Sequence, residues 1–296
     1  MDKDLLSTEI LGKVKRIQFK VSRLSNDLIS GQYASVFKGS GIEFDAVREY
    51  YPGDDIRAID WNVTARAGRP FLKRYVEERE LTVILAVDLS ASQFFGTAGS
   101  LKSELAAEIS ALLAFLAIKN NDKVGLLIFS DHCEKYIPPQ KGRRHVLRVI
   151  REILGYQPRG TGTDIGNALN FINRVTAHRG IVFLISDFWD NRYQKALRLT
   201  AKRHDLIAIR LYDRRETELP SLGLVGLLDR ENGREILLDT SDPTVRFLLS
   251  RNAREHREQT AQTLRAEKVD LLEIETGQSY LEPLQQFFRK RELRIR

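Results

Sequence analysis

Four nearly continuous apolar runs constrain this chain most: Val83–Val87, Val124–Phe129, Ile181–Ile185 and Leu206–Leu211. They lack the polar–apolar alternation of a half-solvated strand, which predicts strands covered on both faces, as in a parallel sheet. A fifth strand is expected over Val269–Ile274. The stretches between the runs have helical periodicity. Residues 100–119 place Leu101, Leu105, Ile109, Leu112 and Leu116 at three- and four-residue steps, so one face is apolar. Helices are also expected over 143–154, 164–177, 191–203, 281–291 and 243–268, the last with Pro243 in its first turn. Such alternation implies right-handed crossovers and an α/β fold: a doubly wound, mostly parallel sheet flanked by helices. One stretch, 213–241, interrupts it. There LVGLLD and REILLD flank Asn232–Gly233, which reads as an inserted β-hairpin.

Two segments precede the alternation. Residues 1–35 read as an N-terminal helical segment, with Leu5, Leu6, Ile10, Leu11, Val14 and Ile17 along one side. That stripe is expected to pack on its own domain or on a partner; a membrane surface is the other reading. Residues 36–80 are dense in aromatics, arginines and turns, with turns at Pro52–Asp54 and Ala67–Pro70 and a strand over Phe71–Val76. The charges here have two readings. One is a docking surface. The other is an internal framework of ion pairs around Tyr50, Tyr51, Trp61 and Phe71, with Arg48, Arg57 and Arg66 holding the segment to the main domain. Three units follow: 1–35, 36–80 packed on the main domain, and 81–296 with its insertion at 213–241.

Composition narrows the function. The single cysteine, Cys133, excludes an internal disulfide and a multi-cysteine zinc site. A reducing compartment, the cytoplasm, is expected. No apolar run approaches the roughly 18–20 residues of a membrane span, and the charged N-terminus has no signal-peptide core. The net charge is +7, but acids and bases are interspersed. The one concentrated basic patch, FFRKRELRIR at 287–296, reads as a solvated helix end. No stacking-aromatic module is present, so no nucleic acid is expected. The five histidines, His132, His145, His178, His204 and His256, are scattered, and no phosphate-binding GxxxxGK[ST] loop occurs. Catalysis by this chain is therefore not expected.

In an open α/β sheet, ligands bind beyond the carboxyl ends of the strands, where the strand order reverses. The first apolar run ends in Asp88, followed by Ser90 and Ser92. A later run ends in Asp187, and RGTGTDIGNAL at 159–169 supplies Thr163 in a glycine-rich loop. Two carboxylates and three hydroxyls are hard oxygen donors suited to Mg²⁺; Mn²⁺ and Ca²⁺ also fit. Thr161, Asp164 and Asp190 compete for the same roles, and the serines and Thr163–Asp164 have a second reading as turns or helix caps.

The Asp-x-Ser-x-Ser, threonine and aspartate set resembles the metal-ion-dependent adhesion site of von Willebrand factor A-like domains. The preceding EFDAVREYYPGDDIRAIDWNVTARAGRPFLKRYVEERE closely resembles the signature of the bacterial domain-of-unknown-function 58 family. The resemblance covers roughly 36–210. It implies a von Willebrand factor A-like fold and metal ligation by Asp88, Ser90, Ser92, Thr163 and Asp187. It departs from the pattern at Gln93, where methionine often stands. It further implies a non-enzymatic interaction module: an adaptor or co-chaperone for a MoxR-class AAA+ ATPase, acting in assembly or maturation of client proteins. The metal would accept an Asp or Glu of the ATPase or its client. Two other readings draw on the same oxygens: a Mg²⁺-dependent phosphoester or nucleic-acid hydrolase, and a metal-free scaffold.

Overall fold

The computed structural model describes residues 10, 12–19, 27–37, 41–78, 80–97, 99, 101–228 and 235–295. Leu5, Leu6 and Leu11 of the N-terminal stripe, and the expected turn at Asn232–Gly233, lie outside the described residues. Residues 12–19 are helical. The elements that follow are α1 (Asp27–Val36), β1 (Gly41–Glu49), α2 (Trp61–Ala67), β2 (Phe71–Glu78), β3 (Thr82–Asp88), α3 (Lys102–Lys119), β4 (Lys123–Phe129) and β5 (Cys133–Gln140). Then come α4 (Arg143–Gly155), α5 (Ile165–Val175), β6 (Ile181–Ser186), α6 (Gln194–Arg203), β7 (Asp205–Tyr212) and α7 (Arg214–Thr217). The chain closes with β8 (Leu224–Leu228), β9 (Glu235–Asp239), α8 (Pro243–Ala266), β10 (Asp270–Glu275) and α9 (Leu281–Ile295).

Six strands form one sheet in the order β10-β7-β6-β3-β4-β5. All neighbours are parallel except β4 and β5. This is the doubly wound α/β fold that the apolar runs predict. The pleat sends successive side chains to opposite faces. In β3, Val83, Leu85 and Val87 enter one core with α1, α3, α4 and α9, while Ile84 and Ala86 enter a second with α5, α6 and α8. Burying each of the valine, leucine and isoleucine side chains contributes about 1.5–3 kcal/mol, so a polar residue is not tolerated until the strand ends. From β3 the chain moves outward through β4 and β5, then returns to place β6 on the other side of β3. The strand order therefore reverses between β3 and β6.

The edge strand β5 has no counterpart among the expected strands. Its sequence, CEKYIPPQ, is mixed in polarity and carries two prolines. Proline is tolerated on an edge strand because only one side of the backbone needs its N–H groups. The inserted hairpin is present as the antiparallel pair β8–β9.

Before the sheet, Val14 and Ile17 are buried in the same core as α1. Tyr33 on α1 donates a 3.1 Å hydrogen bond to Asp122 at the start of β4. The described part of the N-terminal stripe is thus packed on this domain. In the segment that follows, β1 and β2 form an antiparallel ladder with an irregularity between Phe44 and Ala46. Asp60 caps α2 by accepting from the Asn62 and Val63 amides, and Gly68 ends it in the left-handed conformation. The expected aromatic core of this segment is corrected here: Trp61 is 66% exposed and Tyr51 63% exposed. Trp61 takes the first position of a short helix whose seven residues bury none of their number, so there is no second layer to cover it. Arg48 binds both Asp54 oxygens, at 2.8 and 2.6 Å. Its charge is used within the segment rather than to hold the segment to the main domain.

The basic C-terminus also differs from expectation. Arg291 is largely buried and paired with Asp205 and Asp270, its guanidinium 5.1 Å from the Phe37 ring centre. Arg294 also binds Asp270, at 2.7 Å. Part of this patch therefore fastens α9 to the ends of β7 and β10 instead of lying in solvent.

Candidate metal centre

The site is built from four chain segments at the switch point between β3 and β6. Asp88 is the last residue of β3 and is fully buried. Its Oδ1 accepts from the Ser90 amide at 2.8 Å, which turns the chain out of the sheet. Its Oδ2 accepts from Ser186 Oγ at 2.6 Å. A 3-10 turn over Ala91–Phe94 follows, and Ser90 at its N-cap makes no side-chain capping bond. Ser90 Oγ lies instead 3.0 Å from Ser92 Oγ. The helix-cap reading of these serines is thereby not the one the structure adopts. Gln93 on the same turn is buried, and neither of its amide atoms has a hydrogen-bond partner.

The glycine-rich loop is tied to this turn and to the end of β4. The Ala91 amide donates to the Thr161 carbonyl at 3.0 Å, and the Asp164 amide to the Ser130 carbonyl at 2.9 Å. Buried Glu134 accepts from the Arg159 and Gly160 amides at 2.8 and 2.9 Å, and from Ser130 Oγ at 2.8 Å. A Cβ at Gly160 would strike the side chains of Ser130 and Asp131, which would have to shift to admit any other residue there. Thr163 Oγ1 is buried with no hydrogen-bond partner. The two competing carboxylates are committed elsewhere. Asp164 caps α5 by accepting from the Asn167 amide at 2.7 Å, and Asp190 accepts from the Ile165 and Arg192 amides at 3.0 and 2.9 Å.

Asp187 follows the end of β6 and is 1% exposed. Its Oδ2 accepts from Lys102 Nζ at 2.7 Å, while Oδ1 is buried without a partner. The next residue, Phe188, has φ of 63°, a left-handed conformation that is rare for a bulky side chain. Its buried ring packs near Tyr193, and its amide donates to Ser186 Oγ at 3.0 Å. This is local strain held in place by surrounding contacts at the residue after a candidate ligand.

Electrostatics join the two carboxylates. Burial, and then the charge of Asp187, pushes the Asp88 carboxyl well above its ordinary range, against the opposing hydrogen bonds from Ser186 and Ser90. Burial would lower the Lys102 ammonium, but the charges of Asp187 and Glu216 outweigh it and hold it above its usual value. Glu216 Oε1 lies 2.5 Å from the same ammonium.

The donor set fits a hard divalent cation. Two buried carboxylates face an unfavourable mutual charge, and two buried oxygens, Thr163 Oγ1 and Asp187 Oδ1, lack partners. Buried polar atoms in this state need a partner such as a water or an ion, and oxygen-only donors are of the kind that suits Mg²⁺. Among the described residues no three of His, Cys, Asp or Glu cluster so as to hold a metal; the remaining donors here are hydroxyls.

Several participants escaped sequence reasoning, Glu134 among them because it lies on the edge strand β5, which was itself not expected. Ser186 carried a signal as the hydroxyl directly before Asp187. Lys102 carried one as a cation in the first turn of α3, where the helix dipole disfavours it unless a carboxylate is near. Gln93 carried none beyond its departure from the family pattern.

No helix of the described residues is long and apolar enough to cross a membrane. The chain is 32% identical over 293 residues to the uncharacterized protein Rv1480 of Mycobacterium tuberculosis (strain H37Rv), covering 97% of this chain and 92% of that one. Among solved structures it is similar to the conserved hypothetical protein BatB from Bacteroides thetaiotaomicron, with TM-score 0.47, 18% identity, and coverage of 71% of this chain and 98% of that one. It is also similar to the SpRpn10 VWA domain, with TM-score 0.37, 13% identity, and coverage of 69% and 93%. The family model described as "Protein of unknown function DUF58" matches residues 46–259, and the chain belongs to the DUF58 family.

Proposed function

We propose that this protein is a non-enzymatic interaction module whose sheet edge holds one divalent cation, Mg²⁺ by preference, and docks a carboxylate of a protein partner. The observation that carries this reading is the pair of orphaned buried oxygens, Thr163 Oγ1 and Asp187 Oδ1, on loops converging with Asp88, Ser90 and Ser92. Asp88, Asp187, Ser90, Ser92 and Thr163 would hold the ion, which when bound supplies a Lewis-acidic position for an external Asp or Glu. Ser186 orients Asp88, Lys102 orients Asp187, and Glu134 holds the loop that carries Thr163. Neutral hydroxyl donors would leave much of the cation's charge available to the partner.

The partner we propose is a MoxR-class AAA+ ATPase or its client, with this chain acting as an adaptor or co-chaperone. Its support is the family resemblance alone. Calorimetric titration with Mg²⁺ tests the site: Asp88→Asn should abolish binding, and unchanged binding would overturn the assignment. Capture of a purified MoxR-class ATPase with and without a chelator tests the docking role, and equal capture would exclude it.

A further inference from the structure

The Lys102 side chain is 1% exposed, and its ammonium is shared between Asp187 Oδ2 at 2.7 Å and Glu216 Oε1 at 2.5 Å. It sits in the first turn of α3 and reaches the end of β6. A buried, unpaired carboxylate is costly, so a fold that buries both Asp88 and Asp187 needs positive charge at the site. Lys102 supplies part of it permanently. Only one oxygen of Asp187 is used; the other has no partner. Glu216 shares the ammonium through Oε1, and its Oε2 accepts from the Asp213 amide at 3.1 Å. Asp213 in turn gathers the Thr97 amide and hydroxyl and the Thr276 hydroxyl. Glu216 is thus held by a network outside the candidate metal centre.

We infer that Lys102 is a tethered counter-cation that competes electrostatically with the divalent ion for Asp187, with Glu216 setting how much of its charge the site feels. The inference rests on the divalent-cation reading. Two like charges against one carboxylate repel, and at short range in a buried setting that repulsion exceeds its value in water. Lys102 therefore weakens cation affinity while holding Asp187 in orientation through Oδ2. Partners touching the Asp213–Glu216 region would shift the ammonium and tune the cation site.

The test is Mg²⁺ titration calorimetry of the full chain, with Mn²⁺ as a second ion, on wild type, Lys102→Met, Glu216→Gln and Asp88→Asn. Lys102→Met keeps the side-chain volume and should tighten the dissociation constant on the order of tenfold. Glu216→Gln removes the outer carboxylate and should weaken it by a few fold. An equal or weaker constant for Lys102→Met overturns the inference. If Lys102→Met does not fold, Glu216→Gln decides, and an unchanged or tighter constant there overturns it. Binding that Asp88→Asn abolishes but the other two leave unaltered removes this inference alone and keeps the cation reading. Binding seen only in Lys102→Met supports the inference and excludes the cation from the native protein. No binding in any variant overturns both.

Discussion

Ser186 Oγ donates a 2.6 Å hydrogen bond to Asp88 Oδ2, joining the ends of β6 and β3 on either side of the point where the strand order reverses. The same oxygen accepts from the Phe188 amide at 3.0 Å. One hydroxyl therefore satisfies a buried carboxylate and supports the left-handed residue after Asp187.

Replacing Ser186 with Ala leaves both the Asp88 oxygen and the Phe188 amide without this partner. Unsatisfied buried groups cost about 1–3 kcal/mol. We expect a loss of that size in urea unfolding of chelator-treated protein. An unchanged midpoint would show that the bond contributes nothing net.

His204 should make stability depend on pH. Its Nδ1 accepts from the Gly180 amide at 3.2 Å and its Nε2 faces Thr176 Oγ1 at 3.1 Å. Burial, and then the charges of Arg203 and Arg179, lowers its pKa from 6.5 to about 4. The unfolded chain binds the proton between those values, so this contribution is present above 6.5 and is lost as pH falls toward 4, by roughly 3 kcal/mol in full. Asp122 acts oppositely. Burial raises its pKa from 3.8 to about 6, so its contribution is present below 3.8 and declines as pH rises through 6. Comparing wild type with His204→Gln isolates the histidine: the difference in unfolding free energy should grow as pH rises from 4 to 6.5. A pH-independent difference would refute it.

Lys268 offers a stabilising change. The Val269 amide bonds the Leu264 carbonyl and the Lys268 amide bonds the Arg265 carbonyl, at 2.9 and 3.0 Å. This is a Schellman ending for α8, with buried Val269 and Leu264 as its apolar contact. It places the exposed Lys268 at φ of 58°, where glycine is unstrained. Lys268→Gly should raise stability by about 1 kcal/mol. Thermal unfolding checks the sign, and a lowered midpoint contradicts it.

Gly180 is the opposite case. A Cβ there would lie 2.5 Å from the Thr82 carbonyl oxygen, and backbone cannot yield as a side chain can. Gly180→Ala should destabilise by about 1–3 kcal/mol through displacement of β6 from β3. A wild-type denaturation midpoint would mean that the close approach is not needed.

The sheet was legible because burial on both faces leaves a one-dimensional mark. Val83–Val87 and Ile181–Ile185 are short apolar runs without alternation, the pattern of strands covered on both faces, and residues 100–119 carry an apolar helical face that can cover them. The edge strand Cys133–Gln140 was not legible, since one exposed edge relaxes the demand for apolar residues and admits Pro138 and Pro139. The charged segment before the sheet was misread for a related reason. Trp61 and Tyr51 are aromatic, but nothing in a linear sequence says whether a second layer covers them.

For the site, sequence alone determined the residue types: a strand ending in Asp88, the serines after it, a threonine in a glycine-rich loop, and Asp187 after a later strand. Tertiary structure decided what those residues meet. It assigned Asp164 and Asp190 to amide groups of α5 and its neighbouring loop, left Thr163 Oγ1 and one Asp187 oxygen unpartnered, and brought Ser186 and Lys102 to the two carboxylates. The physical reason is that hydrogen bonds and charge pairs act over a few ångströms. Lys102 and Asp187 are 85 positions apart in the chain, and only the crossing of α3 over the sheet makes them neighbours.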